Sequence, residues 1–593
     1  MIGLLHWTVW AAIGWNAAHA TPTELRTATE AELLRTMEQL TLPDDAAPYF
    51  VVMEILDGEV STATASFGAL DGIDNGPYRY ARVEVRVGSA EVDNTNFDVA
   101  YGERNGVQIR ALPHEDEPIA IRRELWLAAD MAYKGATEQF AAKQSARDGH
   151  DDKHTDDLGA SQPLTQESPF VFNSQSEWAE QIAKTISSAV TPFPELEEVN
   201  AVARDWQGQR LLVTSEGSRA WIPTGFALVR VEAIVRANDG AELWNARWWV
   251  AKTPELLPSD TEMAQAVQEM EMWLRTLRNA PVEEDYLGPV LFEEPAAVEL
   301  FRQLLMPELS GTPQPEMPPD GYGVSSSVSD VARIGRRVLP EGWSVVDDAA
   351  AAPNRVGSYP HDQEGVAPQR VELVTNGVVQ DVLMTRIPRK DRALSTGHAR
   401  SLGANRRAAV PSVVTVSPKR SRSQKRVVRK ALSLARQAGL DHVLVVRRVA
   451  PLSLQDEDRI SFTGDAPLPG LTKPLECYRL YADGRQIPVR GMEFVGVDKR
   501  MLRDIVVAQR GSLTLDMMDG PPGPRRFHIG PVGGIPTTWS APAVVVSEME
   551  LRSSGGKDPR IIPPPTLEET SSLQAPTEPA QAPPHQEAGL ELP

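Results

Sequence analysis

The chain has 593 residues, which is enough for two or three domains that each bury a sizeable core. Its formal net charge of -21 means that the molecule as a whole would be repelled by nucleic acid and by anionic membranes. A single cysteine, Cys477, excludes an intrachain disulfide and a cysteine-rich zinc site.

The first 20 residues have the pattern of an export signal. An apolar stretch from Leu4 to Trp15 is followed by Ala18-His19-Ala20, the small-x-small arrangement that precedes a cleavage point. The stretch lacks the usual Lys or Arg at its start, so an uncleaved anchor or a wrongly chosen start codon is the alternative. Because it is short for a bilayer span, we expect a cleaved signal, a periplasmic protein and no membrane span in the mature chain.

Residues 21–146 are predicted to form a first α/β unit. Thr29 and Glu32 make a capping box, which predicts that a helix begins there. Strands are predicted in PYFVVMEIL, EVSTATASFGAL and YARVEVRV, and the last alternates valines with charged residues. A long helix is predicted from Glu117 to Ala146.

The rest of the chain is divided by composition. A polar linker over residues 147–168 leads to a second α/β unit, residues 169–282, which ends with a helix from Thr261 to Ala280. Residues 283–552 are rich in short β segments. Residues 553–593 are predicted to be a disordered tail, since the last 37 residues contain nine prolines, two basic residues and six acidic residues.

Standard catalytic motifs are absent from the sequence, which has no phosphate-binding loop, no nucleophile elbow and no His-Glu-x-x-His helix. His150 and His154 have a spacing that one helical face could offer to a metal, but they lie in the polar linker, where solvation is the better interpretation. Cys477 lies in a strand pattern and is expected to pack in a core. His398, in STGHARS, could serve a substrate carboxylate or a phosphate, or could simply lie at the surface.

A basic band runs from Arg386 to Arg436 and holds 15 Lys or Arg residues against one acid, Asp391. Part of it, RSQKRVVRKALSLARQAG, is predicted to be a helix that ends at Gly439. A basic helix suggests nucleic-acid binding, and the alternatives are a charged helix that covers a sheet or a surface that docks an acidic partner. Nucleic acid is the least favoured, because the band has no aromatic residue for base stacking.

Several segments between Ala47 and Arg552 are similar to segments of one known protein family and occur in the same order. The first half contributes PYFVVMEILD, RVEVRVGSAEVDNTNF and LLVTSEGSRAW. The second half contributes YLGPVLFEEPAAVELF, RVLPEGWSVVDD, DQEGVAPQRVELVTNGVVQDVLMTRIPRK, STGHAR, YRLYADGRQIPVRGMEFVGVDKRMLRDI and IPTTWSAPAVVVSEMELR. Together, and in this order, they resemble the TldD/PmbA family, metalloprotease-like proteins also described as modulators of DNA gyrase, in its exported branch with a longer N-terminal region.

The resemblance implies an α+β protein with an α/β N-terminal part and a β-rich TldD/PmbA-like C-terminal domain. In the TldD branch, a Gly-Pro-Val-Leu segment leads to His-Glu-x-x-x-His on a helix that binds the catalytic metal. Here Leu300 and Phe301 match the apolar pair before that motif, but Arg302 replaces the first His, Gln303 the Glu and Pro307 the second His. Arg cannot ligate a divalent cation, Gln cannot take a proton as a general base, and Pro offers no side-chain donor.

The family's further metal ligand, a Cys near the C-terminus, is missing from RRFHIGPVGGIPTTWSAP. This pattern is similar to the PmbA (TldE) side of the family, which lacks the metal motif. The resemblance therefore implies a catalytically silent subunit without a cofactor, in which the helix retains only a packing role. Its expected partners are a TldD-type paralogue in a heterodimer or a second copy in a homodimer, together with an unfolded peptide in a cleft between the two parts.

Seven residues match family-like positions that line this cleft: Asp362, Glu364, Gly365, Ser395, Gly397, His398 and Arg400. For Asp362-x-Glu364-Gly365 the alternative is a turn that leads to a strand. The alternative for the whole chain is an active metallopeptidase whose zinc ligands come from elsewhere. The candidate donors for such a site are His398, His528, Asp362 and Glu364.

Overall fold

The computed structural model describes residues 22–43, 45–97, 105–148, 155–167, 169–170, 175–193, 195–316, 333–401, 406–450, 470–519 and 534–554. The export-signal pattern, His150, His154, His528 and the proline-rich segment after residue 554 lie outside these ranges, so those predictions stay predictions. Within the described part of the chain, no helix is long and apolar enough to cross a membrane.

The N-terminal part consists of helices and all the strands of one sheet. In chain order its elements are α1 (Pro22–Gln39), β1 (Pro48–Ser66), β2 (Ala69–Val87), β3 (Val107–Ala111), α2 (Pro118–Arg147), β4 (Thr165–Gln166), α3 (Ser176–Ser188), β5 (Leu196–Thr214), β6 (Arg219–Arg236), β7 (Glu242–Ala251) and α4 (Asp260–Leu277). The two helices predicted from Glu117 and Thr261 are therefore present within a few residues of their expected bounds.

Strands from both predicted N-terminal units pair in one seven-stranded sheet. Its order is β3-β2-β1-β5-β6-β4, with β7 also paired to β6. The join between the units is the antiparallel pairing of β1 with β5, which runs from Val52 opposite Thr214 to Ala65 opposite Ala201. The polar segment at residues 147–168 thus divides the N-terminal sequence into two stretches, but the strands of both stretches belong to the same sheet.

The two faces of β2 follow the alternation seen in the sequence. Val83 and Val85 are fully buried against the helices α1 and α2, in a core with Leu25, Leu125 and Tyr133. The charged residues of the opposite face, which include Glu84, are also buried, with Glu84 only 4% exposed. This second face is buried because the C-terminal part of the chain covers it.

The predicted capping box at the start of α1 is wrong. The helix already runs from Pro22, so Thr29 lies inside it and its hydroxyl donates to the carbonyl of Leu25 at 2.7 Å. A hydroxyl inside a helix can bond the carbonyl one turn back instead of capping an N-terminus. Glu32 accepts from Arg35 and Arg122, which lie on α1 and α2.

The C-terminal part contains the remaining strands and two helices. Its elements are β8 (Tyr286–Phe292), α5 (Glu294–Leu305), β9 (Trp343–Asp347), β10 (Val371–Thr375), β11 (Val378–Val379), β12 (Ala399–Arg400), β13 (Ala408–Ala409), β14 (Val413–Pro418), α6 (Gln424–Gln437), β15 (His442–Val449), β16 (Pro474–Tyr481), β17 (Gln486–Val489), β18 (Met492–Val495), β19 (Ile505–Ala508), β20 (Leu513–Asp519), β21 (Ile535–Ala541) and β22 (Val544–Ser553).

Two sheets enclose the main core of this part. One has the order β11-β10-β9-β14-β21-β20, and the other has the order β17-β16-β15-β8-β22-β18 with β19 also on β22. Helix α5 contacts β15 of one sheet and β20 and β21 of the other, so it lies in the shared core. The packing role predicted for this helix is confirmed by four of its residues, each at most 4% exposed: Leu300, Phe301, Leu304 and Leu305.

Helix α6 packs on the outer side of the second sheet. Val427, Ala431 and Ala435 are buried against β8, β15 and β22, while the basic residues of the helix are exposed. Its residues thus match the alternative of a charged helix that covers a sheet. Cys477, on β16, is buried in the main core as predicted, and burial raises the pKa of its thiol.

Candidate functional site

The helix positions that would carry a metal motif hold a buried ionic cluster. Arg302 is 2% exposed and lies near the end of α5. Its guanidinium donates to Glu299, one turn earlier, at 2.7 Å and also contacts Asp519 at the end of β20. Burial disfavours the charged guanidinium, but the two carboxylates outweigh that effect and raise the pKa of Arg302 above its ordinary value.

Gln303 is also held by buried hydrogen bonds, and Pro307 lies outside the helix. The Gln303 amide donates to Glu299 at 2.9 Å and to the Thr472 hydroxyl at 3.0 Å, and its oxygen accepts the Thr472 N–H at 2.9 Å. Pro307 lies beyond the last residue of α5, in a short 3-10 turn over Met306–Glu308. The position of the second metal ligand is therefore not on the helix.

A zinc ion does not fit this donor set. The positive charge at the motif is supplied by Arg302, and the nearby carboxylates of Glu299 and Asp519 are engaged with it. Asp519 also accepts the hydroxyl of Thr537. Across the described ranges of the chain, no group of three or more His, Cys, Asp or Glu side chains is arranged to hold a metal.

A cavity of about 390 Å³ lies where the N-terminal sheet faces the C-terminal part. The sheet contributes side chains from β1, β2, β5 and β6, including Glu54, Arg82, Arg210 and Phe226. The C-terminal part contributes the loop of residues 358–363, the end of β12 and the start of β21. Pockets of about 300–1,000 Å³ suit small ligands or the end of a chain.

On the cavity wall and beside it, buried charges of the N-terminal sheet and one arginine of the C-terminal part form what we term the sheet charge cluster. Its members are Glu54, Glu84, Arg82, Arg86, Arg210 and Arg407. Arg407 comes from the C-terminal part and donates to Glu54 at 2.6 Å. Burial by itself would raise the pKa of Glu84, but Arg86, Arg82 and Arg407 outweigh it and hold that pKa well below its usual range. The cluster thus joins the two parts of the chain.

Comparison with known proteins identifies the C-terminal part. Residues 286–553 match the family model of the PmbA/TldA metallopeptidase C-terminal domain. This part of the chain belongs to the TldD/PmbA family. A metalloprotease PmbA homolog from Haemophilus influenzae is 38% identical over 79 residues, which are 13% of this chain and 17% of that relative. This match therefore spans about a sixth of the relative's length.

Solved structures extend the likeness to most of the fold of the chain. TldE from Thermococcus kodakarensis has a TM-score of 0.56 at 13% identity, covering 89% of this chain and 100% of that one. A protein described as a modulator of DNA gyrase from Thermotoga maritima has a TM-score of 0.54 at 15% identity, covering 85% and 96%. At such identities the likeness concerns the fold alone. The α+β fold class predicted from the sequence is confirmed.

Of the seven residues predicted to line the TldD/PmbA cleft, Asp362 and Arg400 lie on the cavity wall. The Asp362 carboxylate accepts the N–H groups of Glu364, Val366 and Ala399, each at 2.9 Å. Burial and the neighbouring Glu364 raise the pKa of Asp362 to about 7. Asp362 therefore both holds a turn, as the alternative interpretation proposed, and faces the cavity.

Three of the other predicted residues shape the loops behind the wall. Gly365 and Gly397 adopt φ angles of +78° and +75°, which favour glycine. Ser395 accepts the N–H of Gly397 at 3.0 Å. These three residues therefore lie in the loops behind the cavity wall and do not line the cavity.

Glu364 lies between the wall and the N-terminal part. Its carboxylate accepts the N–H of Arg386 at 2.8 Å, and its charge acts on Arg86 and Arg407 of the sheet charge cluster. Glu364 therefore contributes to the contact between the two parts of the chain, behind the cavity.

His398 lies neither at the surface nor in the cavity. It is fully buried, with its Nε2 3.2 Å from Asp347 Oδ1 and its Nδ1 2.9 Å from the Thr396 hydroxyl. Burial would raise the pKa of Asp347, but His398 and Ser412 outweigh it and lower that pKa. Both ring nitrogens of His398 thus have partners. Of the four donors suggested for an alternative zinc site, those that the structure describes therefore include no free imidazole.

The two halves of the basic band, Arg386 to Arg436, lie in different environments. In its first half, Arg386 and Arg407 bind carboxylates of the N-terminal part, and Arg386 forms a bidentate pair with Glu216 at 2.7 and 2.8 Å. Its second half is exposed around α6. The sequence showed the charge of the band, and the alternation in YARVEVRV showed the charged face of β2. Neither pattern showed that Arg407 reaches Glu54.

Proposed function

We propose that this chain is a catalytically silent, TldE-like subunit that holds unfolded peptide in its cavity for a TldD-type protease. The observation that carries the proposal is the commitment of Arg302 and Gln303 to buried contacts at the positions of the metal motif. A side chain that is fully bonded in the core cannot activate water. The export-signal pattern adds the proposal that this work takes place in the periplasm.

A second feature supports peptide binding over a purely structural role. The cavity has aromatic and apolar walls from Tyr78, Trp206 and Phe226, and its polar groups come from both parts of the chain. A mostly apolar pocket with a few placed polar groups is typical of ligand sites. The fold likeness to TldE from Thermococcus kodakarensis is consistent with a TldE-like role.

The test is a reconstitution with a paralogue that carries His-Glu-x-x-x-His. Cleavage of an unfolded peptide is measured with each purified chain alone and with the two together. We expect cleavage by the mixture to exceed that of either chain alone. The matched control is the paralogue with its motif glutamate changed to glutamine, which should abolish cleavage in the mixture because the general base is then lost.

Metal content distinguishes the active-metallopeptidase alternative. After dialysis against trace zinc, we expect the chain alone to retain less than about a tenth of an equivalent, since its motif positions offer no zinc donors. Near one zinc per chain, with peptide cleavage by the chain alone, would overturn the proposal and direct attention to His528.

A further inference from the structure

Arg400 is a buried cation on the cavity wall without an acidic partner. Its side chain is 8% exposed, its guanidinium donates to the carbonyl of Pro411 at 3.2 Å, and it lies 5.0 Å from the ring centre of Tyr359. Among the residues that the structure describes, no carboxylate forms an ion pair with it, and the charges of Asp347 and Asp519 act on it only from a greater distance. Burial lowers the pKa of Arg400, as expected when a charge lacks full compensation.

The neighbouring arginines, unlike Arg400, each have an acidic partner. Arg82 contacts Glu84 at 2.8 Å, and Arg210 contacts Glu54 at 2.5 Å. A buried charge is ordinarily paired, because an unpaired one loses its hydration without replacement. Arg400 therefore lacks the close counter-charge that Arg82 and Arg210 have.

The rest of the cavity wall strengthens the preference for an anion. Four cationic side chains line the cavity against two acidic ones. Glu54 is already shared by Arg210 and Arg407, and Asp362 accepts three backbone N–H groups. Cationic side chains thus outnumber acidic ones on the wall, and neither Glu54 nor Asp362 forms an ion pair with Arg400.

We propose that this cavity binds the carboxylate of a peptide, with Arg400 as the residue that recognises it and Tyr359 as the ring that orients the guanidinium. The inference rests on the proposed peptide-binding function and names the chemistry of its ligand. A guanidinium can donate two parallel hydrogen bonds to a carboxylate, which a neutral amide cannot match. The aromatic wall can accept the side chain next to that carboxylate.

The carboxylate could be the end of the peptide or an acidic side chain, and three fluorescent peptides separate these sources. The first has an apolar sequence and a free C-terminal carboxylate, the second is its C-terminal amide, and the third is the amide with one internal Glu. Binding to the full chain is measured by anisotropy. We expect the first to bind about 10- to 100-fold more tightly than the second, as is typical of charge-assisted hydrogen bonds.

The variant Arg400→Gln should bind the first and second peptides equally, because the group that distinguishes them is gone. Arg436→Gln, at an exposed position on α6, is the matched control and should retain the full preference. Retention of the preference by the folded Arg400→Gln protein would overturn the assignment. If that variant does not fold, the comparison of the three peptides on the unmodified chain still decides for or against a carboxylate site.

The remaining outcomes separate the two proposals. Equal binding of all three peptides by the unmodified chain would remove the carboxylate inference and leave peptide binding standing. No binding of any peptide would remove both. Tight binding of the third peptide would support a carboxylate site that accepts acidic side chains.

Discussion

The guanidinium of Arg302 contacts the carboxylate of Asp519, although 217 positions separate the two residues in the sequence. The contact joins α5 to the end of β20 in the core of the C-terminal part. It places a fixed side-chain cation where the TldD branch has a metal ligand.

Changing Arg302 to Met should destabilise the protein by about 3–5 kcal/mol, because Glu299 and Asp519 would remain buried without a counter-charge. The measurement is the free energy of unfolding from denaturant titration. Arg500→Met is the control, since Arg500 pairs with Asp498 at the surface with 68% of its side chain exposed, and its loss should change stability by about 0–1 kcal/mol. A loss of less than about 1 kcal/mol for Arg302→Met would show that the cluster contributes little.

The sheet charge cluster should make the fold sensitive to acid. The arginines around Glu54 and Glu84 hold the pKa values of both carboxyls below their usual range, despite burial, which acts the other way. A lowered folded-state pKa contributes stability that is present above the unfolded pKa of about 4.3 and is lost as pH falls through the folded value. We expect the free energy of unfolding to fall as pH is lowered below about 4.

The variant Glu84→Gln tests the source of this dependence. It should be less stable at pH 6, because Arg82 and Arg86 lose a charged partner, and its stability should decline less steeply below pH 4. Denaturant titrations from pH 6 to pH 3 on both proteins give the comparison. Equal slopes would place the acid sensitivity elsewhere.

Gly397 should be intolerant of a side chain. Its φ angle is +75°, and a Cβ atom there would lie 2.4 Å from the carbonyl oxygen of Ala367. Gly439 has a φ of +79° but nothing within 4 Å of the same atom, so it is a matched control for backbone strain alone. We expect Gly439→Ala to cost about 1–2 kcal/mol and Gly397→Ala about 3 kcal/mol or more. Equal losses in thermal or denaturant unfolding would mean that the loop moves to make room.

Cys477 should react slowly with thiol reagents while the chain is folded. It is 3% exposed on β16, and burial raises the pKa of its thiol, which lowers the fraction of reactive thiolate. As the only cysteine, it should give one equivalent of labelled thiol in denaturant and far less without it. Rapid labelling under native conditions would indicate that β16 opens readily.

Local patterns predicted local structure well. The helix expected from Glu117 to Ala146 runs from Pro118 to Arg147, and Gly439 follows the end of α6 with the positive φ that a helix-ending glycine adopts. The capping box at Thr29 failed because Ser/Thr and Glu three residues apart also occur inside helices, where the hydroxyl bonds backward along the chain. His398 was misjudged because a basic neighbourhood in the sequence does not reveal what covers it.

The sequence by itself determined that α5 carries no imidazole and no general base at the motif positions, since residue identity alone excludes that chemistry. Only the tertiary structure shows that buried ion pairs and hydrogen bonds occupy these positions instead. The pairing of β1 with β5, the contact of Arg302 with Asp519 and the isolation of Arg400 depend on segments far apart in the chain. Burial and long-range pairing set the electrostatic environment of a charge, and only the folded chain brings those partners together.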